Sequence, residues 1–578
     1  QGIETLRFWN RQWHKNREGC LLEIWNAVQR RTGCVRVMKN AEKQRFIPPD
    51  LKKVKFIENQ SSSPRPSPRL SEEREKTRGG TTIYAEAIQF LYGLQIFGAH
   101  FGLENTFRLA ALAGNPQDRL RFIHVAGTNG KGSTCAMLES IYRASGLRVG
   151  LFTSPHLVSF RERIQVNRKL ISEADVARLV EKLERGSPTR STLKADEVSK
   201  SSEAPAPAKH CGSQTRAPKD RQDACPTLFE FATVMALKYF AEQKCDLVIW
   251  ETGLGGRLDA TNIVTPLASV ITNIAFDHTQ WLGDTLGKIA AEKAGIIKNG
   301  IPVVTGVDEP EALAVIERIA KEKNSPLIKA GQVSSLSSFE KIKKLESGKM
   351  PVLRLRGEHQ QRNAALALAT VEVLQSQIPV SEKQIRDGLQ NMNWPGRLQL
   401  IEKSNGQKIL LDGAHNLAGV ETLRVALESF FPLPAKRGEG QGEGNLVSQK
   451  TTSSPRPSPP LKEEREKPAL IFGALADKNW AGICRVLAPL ASKIFTVRVA
   501  SNRTADAGEL AGVFRTANPA ATVTAWDNLA GALNASKDEP FVVITGSLYL
   551  IGEALERLEF SPASMDERGL NEWTAPKV

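Results

Sequence analysis

Residues 127–133 have the sequence Gly-Thr-Asn-Gly-Lys-Gly-Ser, which combines three glycines with one lysine and two hydroxyl groups. Glycines let successive backbone N–H groups turn towards phosphate oxygens, and a lysine adds a positive charge for the outer phosphates. Ser133 or Thr134 offers a hydroxyl group to a nucleotide-bound Mg²⁺. The spacing departs from the usual phosphate-binding pattern, because a further glycine follows Lys131. The segment predicts a nucleoside triphosphate site, and a simple tight turn is the alternative.

Polar side chains also follow three other strand-like segments. Ser154, Glu251 and His278 each lie just after an apolar run. Because open α/β sheets bind ligands at the carboxyl ends of their strands, we expect the three side chains to face one site. A hydroxyl, a carboxylate and an imidazole can together bind a metal ion beside ATP phosphates. Taken singly, His278 could be a structural histidine and Asp277 a helix cap, so the shared location carries the prediction.

The elements that must position these residues alternate along the chain. An apolar run at 120–126 leads into the loop, and a helical segment at 134–144 follows it. Short apolar runs with strand character recur at 148–152, 245–250, 268–272, 301–305, 408–412, 469–473, 494–498 and 541–545. This alternation predicts parallel sheets with helices on both faces. We expect two α/β domains that are joined near residues 393–397.

The boundaries follow from composition. We expect a poorly structured N-terminal extension at 1–80, an ATP-binding domain at 81–394, a C-terminal domain at 395–560 and a tail at 561–578. Residues 187–227 and 435–468 are predicted to be disordered insertions, since they are rich in polar residues and proline.

The net charge of the chain is +15, and +13 of it lies in residues 1–80 and the two insertions. Blocks of charge are usually solvated, so a nucleotide-dependent nucleic-acid-binding protein is a weaker alternative. The seven cysteines include no Cys-x-x-Cys pair, which argues against a zinc site or a disulfide framework. No apolar run approaches the length of a membrane span, and residues 1–60 lack a secretory signal pattern. We therefore expect a cytoplasmic protein without a membrane partner.

With these motifs in place, the chain resembles the bacterial dihydrofolate synthase/folylpolyglutamate synthase family, which is related to the Mur ligases. The segments that carry the resemblance are 114–117, 124–133, 153–157, 160–163, 251–262, 277–283, 292–296, 395–397 and 412–416. The resemblance covers residues 81–560 apart from the two insertions. It implies a P-loop parallel-sheet ATPase domain of Mur-ligase type, followed by a smaller Rossmann-like α/β glutamate-ligase domain.

The resemblance also implies roles for individual residues. Those expected to bind ATP are Asn129, Gly130, Lys131, Gly132, Ser133, Asn363, Arg397 and Asp412. Those expected to bind Mg²⁺, at two sites, are Ser154, Glu251, His278 and Lys293, the last as a carbamate. Lys131, His278 and Lys293 are the expected catalytic residues. The expected substrate pocket draws on Gly102, Leu103, Glu104, Phe229, Glu230, Phe231, Arg257, Asp259 and His415.

The implied reaction begins with phosphorylation of a carboxylate by ATP. The amino group of L-glutamate then attacks the acyl phosphate, which gives an amide, ADP and phosphate. The expected acceptor is dihydropteroate, a folyl-(poly)glutamate or both, and the expected state is a monomer. The nearest alternative is a Mur ligase that acts on a UDP-linked peptide. Residues 1–80 are too short and too poorly patterned for the UDP-binding domain that such an enzyme needs.

Overall fold

The computed structural model of the chain describes residues 71–95, 102–186, 225–330, 357–431, 467–561 and 567–571. The described residues from Glu72 onward belong to one compact unit. Within the described ranges, no helix is both long enough and apolar enough to cross a membrane.

The first sheet has eight strands in the order β4-β3-β2-β5-β1-β6-β7-β8. The strands are β1 Phe122–Ala126, β2 Val149–Phe152, β3 Ile164–Val166, β4 Lys169–Leu170, β5 Leu247–Glu251, β6 Ala268–Ile271, β7 Val303–Thr305 and β8 Leu327–Lys329. All pairs are parallel except β2–β3 and β3–β4, which are antiparallel. The central strands are therefore buried on both faces, as their apolar sequences require.

Helices cover both faces of this sheet. They are α1 Ser71–Leu94, α2 Glu104–Leu112, α3 Lys131–Ala144, α4 Glu173–Gly186, α5 Leu228–Glu242, α6 Thr279–Leu282, α7 Leu286–Ala294, α8 Pro310–Glu322, α9 Glu358–Val373 and α10 Glu382–Gln390. Neighbouring β1 residues point to opposite faces: Phe122 packs in the cluster that contains α1 and α5, and Ile123 in the cluster that contains α3, α9 and α10. Because side chains alternate in this way, every second residue of a strand points to the same face of the sheet.

The second sheet has six strands in the order β13-β12-β11-β14-β10-β9, and only β9 is antiparallel. The strands are β9 Gln399–Glu402, β10 Lys408–Leu411, β11 Ala469–Phe472, β12 Lys493–Val497, β13 Thr522–Trp526 and β14 Phe541–Thr545. The helices are α11 Leu417–Phe430, α12 Trp480–Leu487, α13 Ala507–Ala517, α14 Leu529–Ala535 and α15 Leu548–Arg557. Two apolar clusters fill the two faces. The predicted α/β class, with a larger parallel-sheet domain before a smaller one, is confirmed.

Three expected boundaries need correction. Helix α1 begins at Ser71, inside the predicted extension 1–80; residues 1–70 lie outside the described residues. The insertion predicted at 187–227 ends earlier, because Thr227 is buried and its hydroxyl caps α5 by accepting a hydrogen bond from the backbone N of Glu230. The described part of the insertion predicted at 435–468 is only 467–468, directly before β11.

The predicted tail also contains ordered structure. Residues Arg568–Asn571 form one 3₁₀ turn, in which Arg568, Leu570 and Asn571 are buried. Leu570 joins the apolar cluster of the first domain. This segment is named the C-terminal strap below and comprises residues 567–571.

Candidate active site

The predicted phosphate-binding loop connects β1 to α3. Gly130 has a φ of +84° directly before α3, a conformation that side chains with a Cβ adopt at a cost. A Cβ there would also lie 2.4 Å from Oδ1 of Asn363. The loop is held against the end of β6 because Thr128 N donates to Asn273 O at 2.9 Å and Asn129 N donates to Asn273 Oδ1 at 2.7 Å. The loop therefore has a defined shape at the amino terminus of a fourteen-residue helix.

Two lysines meet at the start of this loop. Nζ of Lys131 donates to the carbonyl oxygens of Gly127 at 3.0 Å and Thr128 at 3.2 Å. Nζ of Lys293, from α7, donates to the same Gly127 oxygen at 2.9 Å. Burial, together with the positive charge of Lys131, lowers the pKa of Lys293 to about 7. Its amine is therefore neutral far more often at pH 7 than the amine of an ordinary lysine.

A buried carboxylate lies nearby at the end of β5. Glu251 is 4% exposed, and its Oε2 accepts a hydrogen bond from the backbone N of Ser154 at 3.1 Å. Burial raises the pKa of this carboxyl group to about 7, although the positive charge of Lys131 opposes the rise. A cation placed beside Glu251 would favour its ionised form.

Asp277 stands at the junction of the two domains. Its carboxylate accepts hydrogen bonds from Lys478 Nζ at 2.7 Å and from Asn416 Nδ2 at 3.0 Å, both from the second domain. Burial alone would raise its pKa, but His278 and His415, which are charged only in acid, and the positive charge of Lys478 hold the pKa below its usual range. Asp277 does not cap α6, because His278 is the residue at the N-cap position of that helix.

The two histidines near Asp277 are both neutral at pH 7. Their Nε2 atoms lie 3.8 Å (His278) and 3.9 Å (His415) from the Asp277 carboxylate. Burial lowers the pKa of each imidazole to about 4, despite the nearby carboxylate. A neutral imidazole offers the nitrogen lone pair that a metal ion requires.

Asn416 connects the loop to the second domain. Its side-chain amide exchanges hydrogen bonds with that of Asn129, with N–O distances of 3.2 and 3.0 Å. Its Oδ1 also accepts from Gly419 N at the start of α11. Asn416 and Lys478 were absent from the expected site residues. The Asp-Gly-Ala-His-Asn segment was a sequence signal for Asn416, but the reach of Lys478 across the domains is set by tertiary packing.

The other residues expected to bind the nucleotide line the same cavity as the loop. Asn363 is buried beside Gly130, and its Nδ2 donates to Gln360 Oε1 at 3.0 Å. Asp412 accepts hydrogen bonds from the backbone N–H groups of Leu398 and Ala414 at 2.9 and 3.0 Å. Asp412 thus orders the connection that carries Arg397, in addition to facing the cavity.

One cavity of about 1390 Å³ is lined by both lysines, by Glu251 and Asp277, and by the two histidines. All residues expected to bind ATP or metal line it, as do Phe229, Glu230, Asp259 and His415 from the expected substrate pocket. Loops from both sheets contribute to the lining. The structure therefore gathers the predicted nucleotide, metal and part of the predicted substrate set at one site.

Five residues of the expected substrate pocket do not line this cavity, so their assignment stays a prediction. Gly102, Leu103 and Glu104 lie at the start of α2 and do not line the cavity. Phe231 is fully buried, and its ring centroid lies 5.3 Å from that of Phe90. Because successive helix residues point about 100° apart, residues two positions apart point to nearly opposite sides, and Phe229 is the one that faces the cavity. Arg257 is more than half exposed and pairs with Glu292 at 2.8 Å.

The sequence-predicted Mg²⁺ set can be tested against these surroundings. Within the described ranges, no three His, Cys, Asp or Glu side chains lie close enough to form a metal site by themselves. Glu251 fits a cation because it is a buried carboxylate, and Ser154 adjoins it. Lys293 fits only as a carbamate, since an ammonium repels a cation. The residues therefore fit Mg²⁺ in a site that includes non-acidic ligands.

Comparison with known proteins gives the class. Residues 215–371 match the family described as Mur ligase middle domain. Together with the two α/β sheets and the lysine-bearing phosphate loop, this match identifies an ATP-dependent ligase of Mur-ligase type.

The relatives are more specific. The chain is 33% identical to the dihydrofolate synthase/folylpolyglutamate synthase of Bacillus subtilis over 495 residues, which span 83% of this chain and 100% of that protein. Folylpolyglutamate synthase from Thermotoga maritima is a structural neighbour with a TM-score of 0.63 and 31% identity, covering 84% of this chain and 99% of that one. Escherichia coli FolC in complex with DHPP and ADP has a TM-score of 0.61 at 29% identity, covering 82% and 98%. This chain belongs to the dihydrofolate synthase/folylpolyglutamate synthase family.

Proposed function

We propose that this chain ligates L-glutamate to dihydropteroate, to folyl-(poly)glutamate or to both, through an acyl phosphate, with release of ADP and phosphate. The observation that carries the proposal is the convergence of Lys131 and Lys293 on the Gly127 carbonyl, beside buried Glu251, in a cavity shared by both domains. Relatives matched over their whole lengths carry folate names, which favours a folate over a UDP-linked peptide.

In the first step, a carboxylate oxygen of the folate substrate attacks the γ-phosphorus of ATP, and the bond to the ADP oxygen breaks. Charge builds on the transferring group and on the leaving phosphate. Lys131, the first residue of α3, and the backbone N–H groups of the loop stabilise that charge. Asn363 adjoins the loop at Gly130, and Arg397 lines the same cavity.

In the second step, the amino group of L-glutamate attacks the carbonyl carbon of the acyl phosphate. The C–O bond to phosphate breaks, an amide forms and the nitrogen loses a proton. Water would hydrolyse the acyl phosphate, so the site must exclude it. Asn416 and Lys478 reach from the second domain to Asn129 and Asp277, and these contacts hold the two domains together over the cavity.

For Mg²⁺, we propose Ser154, Glu251, His278 and a carbamylated Lys293 as ligands, divided between two sites. When bound, the ions supply positive charge to the phosphates and to the reacting carboxylate. A carbamate forms when a neutral amine attacks CO₂ and loses a proton. The low pKa and the burial of Lys293 favour that reaction. Neutral His278 retains a nitrogen lone pair.

The decisive experiment measures ADP release by the full chain with ATP, Mg²⁺ and L-glutamate. Dihydropteroate and tetrahydrofolate are supplied in separate reactions, and mass spectrometry checks each product for added glutamate. The proposal expects glutamate-dependent ADP release and a product heavier by one glutamyl residue with at least one acceptor. ADP release without glutamate addition to either acceptor would refute it.

We also propose that the protein is a cytoplasmic monomer whose activity needs no nucleic acid or membrane. The basic charge concentrated in residues 1–80 and the insertions supports the view that it is not part of the site. Equal activity with and without added nucleic acid, and a monomer mass in solution scattering, are the expected results. Activation by nucleic acid would contradict the proposal.

A further inference from the structure

The C-terminal strap joins the second domain to the predicted metal-binding loop of the first domain. On one side, Arg568 pairs with Glu556 of α15 at 2.7 Å, and both side chains are less than a tenth exposed. On the other side, Glu567 Oε2 accepts hydrogen bonds from Ser159 Oγ at 2.8 Å and Phe160 N at 2.7 Å. The strap is therefore fixed to both domains.

The strap also completes a closed set of hydrogen bonds around His156 and Arg163. Arg163 Nε donates to His156 Nδ1 at 2.9 Å, so the other ring nitrogen, Nε2, carries the proton and donates to Glu567 O at 2.9 Å. Arg163 Nη2 donates to Asn571 Oδ1 at 2.7 Å. Asn571 Nδ2 donates in turn to His156 O at 2.9 Å. Each polar group in this set has one consistent donor or acceptor role.

This arrangement leaves the charge of Arg163 available to the cavity. Its guanidinium donates hydrogen bonds to an imidazole, that of His156, and to an amide, that of Asn571, and both groups are neutral. Burial lowers the pKa of Arg163 to about 10, so the guanidinium stays charged at neutral pH. Arg163, Leu570 and Asn571 line the same cavity as Phe229 and Glu251. The charges of Glu162 and Glu251 offset part of this positive charge, but no carboxylate accepts a hydrogen bond from the guanidinium among the described contacts. A buried cation whose hydrogen bonds go to neutral groups favours an anionic ligand.

We propose that the C-terminal strap positions Arg163, through Asn571, to bind a carboxylate of the folate-side substrate. The inference rests on the proposed function. It adds to the site the C-terminal strap, which lies far along the chain from the phosphate-binding loop and the strand-end motifs. Asn571 is a positioning residue, and Leu570 covers the same end of the cavity with apolar surface.

The test is a double-mutant cycle in the full chain with Asn571→Ala, Arg163→Ala and the double variant. Losing a hydrogen bond to a charged group predicts that Asn571→Ala raises KM for the acceptor about tenfold. KM for ATP should stay within about twofold. In the Arg163→Ala background, Asn571→Ala should add less than about twofold, because its effect passes through Arg163.

A matched control is Asn518→Ala. Asn518 also donates its amide to backbone carbonyls, those of Ala488 and Ala491, but it does not line the cavity. This variant should leave the KM for the acceptor and the KM for ATP unchanged. Thermal melting of every variant separates a folding defect from a binding defect; if Asn571→Ala does not fold, Asn571→Ser takes its place in the cycle.

Two results would overturn the inference. One is an acceptor KM within twofold of wild type in Asn571→Ala, or an equal rise in the KM for ATP. The other is a full effect of Asn571→Ala in the Arg163→Ala background. Absence of glutamate ligation in the wild-type chain would instead refute the proposed function, so the two failures are distinguishable.

Discussion

Lys478→Met tests whether the contact between the domains is needed for activity. Lys478 Nζ lies 2.7 Å from Asp277 Oδ1, and the two side chains are 12% and 10% exposed. Removing one partner of a buried pair typically costs about 3–5 kcal/mol. Asp277 keeps its hydrogen bonds from Asn416 Nδ2 and from the backbone N of His278, so we expect a smaller cost than that range, about 2–3 kcal/mol.

If closure of the two domains precedes reaction, this loss lowers kcat/KM for glutamate by about 30- to 150-fold. The assay is glutamate-dependent ADP release, with solution scattering to detect a more open arrangement. Lys493→Met is the matched control, because Lys493 pairs with Glu539 within the second domain and is about half exposed. A Lys478→Met enzyme within threefold of wild type would refute the argument that this pair holds the site together.

Three further substitutions test the loop and the proposed carbamate. Lys131→Ala should lower kcat for ADP release by at least about a hundredfold without lowering the melting temperature, and near-normal turnover would contradict its role. Lys293→Ala should lose activity that short carboxylates partly restore; an unmodified Lys293 amine in the mass spectrum of active enzyme would count against the carbamate. Gly130→Ala should raise KM for ATP and cost at least about 1–2 kcal/mol of stability, because φ is +84° and the new Cβ would meet Asn363. Calorimetry measures the stability; an unchanged stability together with unchanged ATP kinetics would contradict the prediction.

The parallel core of the fold was predictable because its strands are short apolar runs between polar turns. The predicted strands at 268–272 and 541–545 match β6 and β14 to within one residue. The edges were less predictable. Strands β3, β4 and β9 add antiparallel partners, and the predictions had not identified them as strands. Strands β4 and β9 lie at sheet edges, where less surface is buried and the apolar signal is weaker, whereas β3 is buried but has only three residues.

The site shows the same division. Motif residues at strand ends, such as Glu251 and His278, could be located because topology brings parallel strand ends to one edge. Phe231 could not be separated from Phe229 without the rotation of α5. The C-terminal strap has one large apolar residue, Leu570, and no period, so nothing in its sequence indicated that it packs beside the Thr-Ser-Pro-His-Leu motif.

The most direct measurement of the central claim is the product formed from dihydropteroate or tetrahydrofolate with ATP, Mg²⁺ and ¹⁵N-labelled L-glutamate. The account predicts one ADP for each amide formed, with the label in the product. It also predicts loss of both products in Lys131→Ala. Unlabelled acceptor after complete ATP turnover by the wild-type chain would contradict it.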